Sequence, residues 1–118
     1  MKLGNVEVDF SFTNTSNLRR LQEAYKKVLD EDNKSKKKSL GFIEQIDEEC
    51  NIARNFFNEV FGEGIDKKIF GEENDYETIM DTLEGVMQEY EKQAGRIKEK
   101  YAKYSPNRAK RRAKSKND

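Results

Sequence analysis

The sequence contains no histidine and no tryptophan, one cysteine and one proline. Each scarcity removes a class of chemistry. Without histidine, the side chain that most often serves as a general base near neutral pH and as a zinc ligand is missing. A lone Cys50 cannot close a disulfide within the chain, and a metal cage built only of cysteines is excluded. Long apolar runs are missing too. No stretch approaches the roughly 20 residues of a membrane-spanning helix, and nothing at the amino terminus has the pattern of a signal peptide. The expectation is a reduced, cytoplasmic protein.

What the sequence has in quantity is charge. Of its 118 residues 39% are charged and only 34% hydrophobic, so the apolar residues must be gathered into narrow stripes on helices with charged outer faces. The length suits one domain and hardly two. The core it can build is modest, and oligomerisation or a partner would help to complete it. The charges balance to zero but are unevenly placed. Residues 1–91 hold 12 basic and 21 acidic side chains, a net of −9, and residues 92–118 hold 11 basic and 2 acidic, a net of +9. An acidic body with a basic end points to an intermolecular or nucleic-acid contact, against the plainer reading of a solubilising tail.

The chain opens with Val6, Val8, Phe10 and Phe12 alternating with Glu7, Asp9 and Ser11. That period of two predicts a strand with one apolar face. Gly4-Asn5 can turn the chain so that Lys2-Leu3 pairs with Val6 onward. A two-stranded hairpin is marginal alone, so its apolar face should lie on helices, with pairing to another subunit as the alternative. Thr13 to Asn17 can cap a first helix, whose apolar face is Leu18, Leu21, Tyr25, Val28 and Leu29. The lysine-rich stretch Asn33–Ser39 reads as a solvated connector. Ser39 is the expected cap of a second helix, in which Ile43, Ile46, Cys50, Ala53, Phe57 and Val60 repeat at three-four spacing and Phe42, Phe56 and Phe61 widen the stripe. On that face Cys50 is a buried structural thiol, with no histidine to activate it.

Gly62 and Gly64 end the second helix. Ile65 to Phe70 fits one or two turns, and Ile65, Ile69 and Phe70 are expected to form a lid over the helix pair. Gly-Glu-Gly at 62–64 is no phosphate loop, since no GxxxxGK[ST] follows. Asn74 and Glu77 have capping-box spacing. They precede a stripe of Tyr76, Met80, Leu83, Met87, Tyr90, Ala94, Ile97, Tyr101 and Tyr104, spaced four and three throughout. This helix would be roughly 45 Å long, more than the domain needs. Gly85 and Gly95 lie off the stripe and read as points of close approach or flexing. Ser105-Pro106 should stop the helix, and a disordered basic tail follows.

Carboxylates cluster at Asp30-Glu31-Asp32, Asp47-Glu48-Glu49 and Glu72-Glu73, on expected polar faces or in loops. None has the paired, contrasting environments of acid–base catalysis, and the first lacks EF-hand spacing. No catalytic residue, cofactor site or metal site is assigned, and a non-enzyme is expected. Arg108, Lys110, Arg111 and Arg112 could neutralise phosphates. A nucleic-acid partner is nonetheless disfavoured: the body is acidic, no recognition motif is present, and Tyr90, Tyr101 and Tyr104 follow the helical stripe rather than a stacking platform.

The order of elements, Phe-Phe-Asn-Glu-Val-Phe-Gly-Glu-Gly-Ile-Asp-Lys-Lys-Ile-Phe-Gly at 56–71 and Tyr-Ser-Pro-Asn-Arg-Ala-Lys-Arg-Arg at 104–112 resemble a family of small proteins encoded in the tail modules of phages of Gram-positive bacteria. The resemblance covers most of the chain and includes no catalytic motif. It implies a tail assembly chaperone that holds a long, helical tape-measure protein in the host cytoplasm until tail-tube protein polymerises around it. Such a chaperone would be absent from the mature virion. Apolar grooves and complementary charge suffice for such work.

The expected architecture is mainly α: a three-helix arrangement with a short N-terminal β-strand or hairpin, helices near 17–32, 40–61 and 75–103, and a short helix near 66–70. Residues 1–104 form the helical domain and 105–118 the basic flexible tail. Expected partner contacts are Phe56, Phe61, Ile69 and Phe70 around the glycine corner, Ile97 and Tyr101 on the distal helix, and Arg108, Arg111 and Arg112 in the tail. The expected partner is a tape-measure-type protein, with tail-tube protein and self-association left open. The alternatives are a structural tail or connector component, and a nucleic-acid-binding accessory protein.

Overall fold

Alternation and turn chemistry build the first element as expected. In the computed structural model, which describes residues 1–104, strands β1 (Lys2–Leu3) and β2 (Val6–Glu7) pair antiparallel within the chain, Leu3 opposite Val6. Gly4 makes the turn at φ +60°. Past Glu7 the Val8 amide still donates to the Met1 carbonyl at 2.8 Å, and the alternation persists. Val8, Phe10 and Phe12 stay at least half-buried and Asp9 and Ser11 are exposed, so the segment lies extended across the helices.

Helix α1 runs Thr15–Lys36, capped by Asn14, whose Oδ1 accepts from the Asn17 amide at 3.1 Å. It absorbs the first half of the supposed connector because Ser35 is not a solvated residue. Ser35 is fully buried, and its Oγ accepts from Gln45 Nε2 at 2.8 Å. Helix α2 (Phe42–Phe61) is capped by Gly41 rather than Ser39. The Glu44 carboxylate reaches back to the Gly41 amide at 2.7 Å, which is half of a capping box. Gly62 (φ +126°) and Gly64 (φ +82°) turn the chain into α3 (Ile65–Phe70), and α4 (Tyr76–Tyr104) follows. Its cap is Asp75, which accepts from the Thr78 amide at 3.0 Å, one residue later than expected. Asn74 is engaged elsewhere.

The core sits where the hairpin segment, α1, α2, α3 and the first half of α4 converge. Leu3, Phe12, Leu21, Ala24, Phe56, Phe57, Val60, Ile65 and Val86 form one buried cluster, and Cys50, Ala53 and Ile79 a second. Phe57 is central, with rings of Phe56, Phe61 and Phe70 at 5.2–6.1 Å. Phe42 and Ile43 are 82% and 75% exposed although they continue the α2 stripe. The reason is positional. Asn74 lies against Asp47 and Asn51, so α4 begins more than a turn into α2 and leaves its first turn uncovered. Gly85 and Gly95 are not points of close approach, since a Cβ at either would meet nothing within 4 Å.

Helix α4 outruns this core. Among the described residues, none packed against either cluster lies beyond Tyr90. The radius of gyration is 19.1 Å, with a long dimension of 67 Å, against about 13 Å for a compact chain of this length.

Candidate functional site

Two regions of α2 and α4 carry unusual features, and they lie on different faces. The first is a polar corner hidden under α3. Arg54 sits one turn after Cys50 and one before Phe57, on the buried side of α2, with a side chain only 9% exposed. Every arm of its guanidinium is used. Nε donates to Asn74 Oδ1 at 2.7 Å, Nη1 to Asp66 Oδ2 at 3.1 Å and to the Gly71 carbonyl at 2.9 Å, and Nη2 to the Glu73 carbonyl at 2.6 Å. Its charged centre lies 5.6 Å from the Phe70 ring, within cation–π range. Asn74 passes the link back to α2 through Asp47 and Asn51, each at 3.2 Å. Asn58 accepts from the Asp66 amide at 3.0 Å.

Burial alone would raise the Asp66 carboxyl, but hydrogen bonds from Asn58 and Arg54, with the Arg54 charge, hold it below its ordinary value. Nearby, burial, reinforced by Asp47, pushes the Cys50 thiol up, which keeps it protonated and unreactive. Among the described residues no buried side-chain polar atom lacks a partner. This corner ties α2, the α3 turn and the start of α4 together.

The second region is open. Helices α1 and α4 both pack on α2 but scarcely touch each other. The gap between them forms two hollows end to end. One, of about 250 Å³, is lined by Val28 and Asp32 of α1, Glu49, Ile52 and Ala53 of α2, and Tyr76, Met80 and Leu83 of α4. The other, of about 340 Å³, is lined by Leu21, Gln22 and Tyr25 of α1 and Met87, Tyr90 and Glu91 of α4. The stripe from Tyr76 to Tyr90 is therefore the wall of a groove rather than the most deeply buried face of α4. That face belongs to Ile79 and Val86, both 0% exposed, which are not in the stripe. Burial, with the Glu49 carboxylate as a further cause, raises the Tyr76 phenol.

Beyond Tyr90 the stripe continues with no other described element packed over it. Ala94 and Ile97 are half-buried among their own helix neighbours, and Tyr101 and Tyr104 are 71% and 72% exposed. Of the expected contact residues, then, Ile97 and Tyr101 stand where a partner can reach them. Phe56 does not. It is 1% exposed, and Phe61, Ile69 and Phe70 are half-buried against the same core. The aromatic surplus around the glycine corner is core material, not surface. Arg108, Arg111 and Arg112 lie outside the described residues.

A larger hollow, about 440 Å³, separates the hairpin from α4. Asp81, Thr82 and Glu89 line it, and of its apolar members Leu3 and Val86 are already sealed in the core while Met1 is half-buried. Among the described residues no group of three potential ligands is placed to hold a metal ion, and no helix is long and apolar enough to cross a membrane.

Arg54 escaped the sequence reading, although a signal was present. A charged residue at the centre of an apolar stripe must either be solvated by a gap or be fully partnered inside, and its four-three spacing from Cys50 and Phe57 marked the position as buried. Neither the curated proteins nor the solved structures contain a match to this chain. Residues 4–115 match the family of unknown function DUF6673, and with nearly its whole length matched the chain belongs to that family.

Proposed function

We propose that this protein is a non-enzymatic assembly chaperone that holds an amphipathic helical partner. The partner suggested by the resemblance at 56–71 and 104–112 is a tape-measure-type protein of a phage tail, bound in the host cytoplasm before tail-tube protein encloses it. The observation that carries the reading is the α4 stripe, which begins as a groove wall at Tyr76 and runs uncovered to Tyr104. Tyr101 and Tyr104 are large amphipathic rings that add contact area at small entropic cost. Met80 and Met87 in the groove are unbranched and polarizable, and adapt to varied apolar side chains. The five basic residues between Lys92 and Lys103 supply the charge that suits an acidic client.

Co-expression with the tape-measure-type protein of the same genome tests this directly. The client should stay soluble with the intact chain and lose solubility with Ile97→Glu/Tyr101→Glu; a client that precipitates in both cases sinks the reading. Mass spectrometry of purified particles should find the client and not this chain. Finding it there in stoichiometric amounts would make it a structural tail component instead.

A further inference from the structure

We infer that, in the absence of a client, the α4 stripe is closed by α4 of a second copy running antiparallel, with the two-fold axis near Tyr90. This stands apart from what the client is and from whether the tail reading holds.

Length argues for it first. From Tyr76 to Tyr90 the groove wall spans roughly 21 Å of helix, and from Tyr90 to Tyr104 the uncovered arm spans the same roughly 21 Å. The arm of one copy fills the groove of the other from end to end, and the reverse follows by symmetry, as an isologous contact requires. Register follows from the four-three spacing. With Tyr90 at the axis, Leu83 faces Ile97 of the second copy, Tyr76 faces Tyr104, Met80 faces Tyr101 and Met87 faces Ala94. Each large side chain of one half thus meets an apolar residue of the other. The spacing is that of a heptad seam. With α1 as the far wall, offering Tyr25 at 40% exposure, the incoming helix completes a four-helix arrangement of α1, α2, α4 and the second α4.

Charge sets the direction. Residues 76–91 carry five acidic and no basic side chains, and residues 92–104 carry five basic and one acidic. Antiparallel pairing lays each half with a net of −5 on a half with a net of +4. Parallel pairing would stack like on like along the whole helix. The charged residues lining the groove agree, because Asp32, Glu49 and Glu91 are all acidic. A second copy therefore fits both the apolar and the charged features of this surface with no residue from outside the described chain.

Sedimentation of the full chain tests the pairing, and cysteine cross-linking in a Cys50→Ala background tests its geometry. The intact chain should sediment as a dimer that weakens with added salt, and Ile97→Glu/Tyr101→Glu, which touches no core residue, should give a monomer with unchanged helicity. Tyr90→Cys should cross-link to itself. Ile97→Cys should not, because its counterpart lies roughly 21 Å away, far beyond disulfide reach. Mixing Ile97→Cys with Leu83→Cys should restore a cross-link and cover the case in which Tyr90→Cys perturbs the core. A monomeric intact chain, a double variant that remains dimeric, or self-cross-linking at Ile97 would each overturn the inference.

Discussion

The two sides of the α2–α4 pair differ in what they leave unfinished. On the α3 side Arg54 gathers Asp66, Asn74 and two carbonyls, Phe70 covers its guanidinium, and Ile79 and Val86 are sealed against α2 and the core. On the α1 side the same helix presents a half-filled groove and then an uncovered arm. Polar groups are satisfied where the chain is closed, and apolar groups are left over where it is open. A closed polar network holds one arrangement because breaking any member strands the others. An open apolar stripe can only be completed by something brought to it. The first side governs whether the chain folds, and the second is the surface on which the proposed contacts rest.

Substitutions should separate the two. The largest effect belongs to Phe57→Ala at the centre of the closed side, which should lower unfolding free energy by about 3–5 kcal/mol in urea titration without altering association at a concentration where the chain is still folded. Arg54→Met should be nearly as severe, about 3 kcal/mol or more, since it strands the buried Asp66 carboxylate. Asp66→Asn should cost less and should also change the acid limb of stability. The Asp66 carboxyl is held below its ordinary value in the fold, so its contribution is complete above the unfolded value of about 3.9 and is lost as pH falls through the folded value. Urea midpoints measured below pH 4 should therefore decline less steeply for Asp66→Asn than for the parent. Asp75→Ala should remove about 1 kcal/mol as a lost helix cap. The smallest effect is on the open side. Tyr101→Glu should change the stability of dilute protein by less than about 0.5 kcal/mol, while abolishing the rise of melting temperature with concentration that a self-associating chain shows.

The same contrast explains what could be read from residues alone. Elements whose signals are local were legible: the Gly4-Asn5 turn, the glycines at 62 and 64, the buried Cys50, and the helices to within a few residues of their ends. Where two equally suitable side chains stand together, local chemistry could not choose. Asn74 and Asp75 are both good caps, and the position went to Asp75 because Arg54 holds Asn74. Ser35 looked solvated among lysines until Gln45 of the next helix was brought against it. The stripe of α4 was legible as a stripe, but a period does not say which of two neighbouring faces is the deeper one. That depends on where α1 lies. For the same reason the surplus of phenylalanine near the glycine corner read as surface, although the extended segment carrying Phe10 and Phe12 covers it. That Tyr101 stands exposed was legible because it falls beyond any length the core could occupy.

The continuity of α4 has a kinetic consequence. Starting a helix is the unfavourable step, and extending one is not. The half of α4 fixed on α2 has already met that cost, so the overhanging residues need only propagate it. Acidic residues near the amino-terminal end and lysines near the other also suit the direction of the helix dipole. Side-chain contacts such as Gln93 to Glu89 at 2.8 Å and Arg96 to Gln93 at 2.8 Å brace the exposed turns. The arm is thus helical before any contact, and under the proposed pairing it would not have to order when a partner arrives. Whatever docks there loses little chain entropy in doing so, and its opposite charge can steer the approach. Capture should be fast and sensitive to salt, with release set by how well the incoming stripe fits.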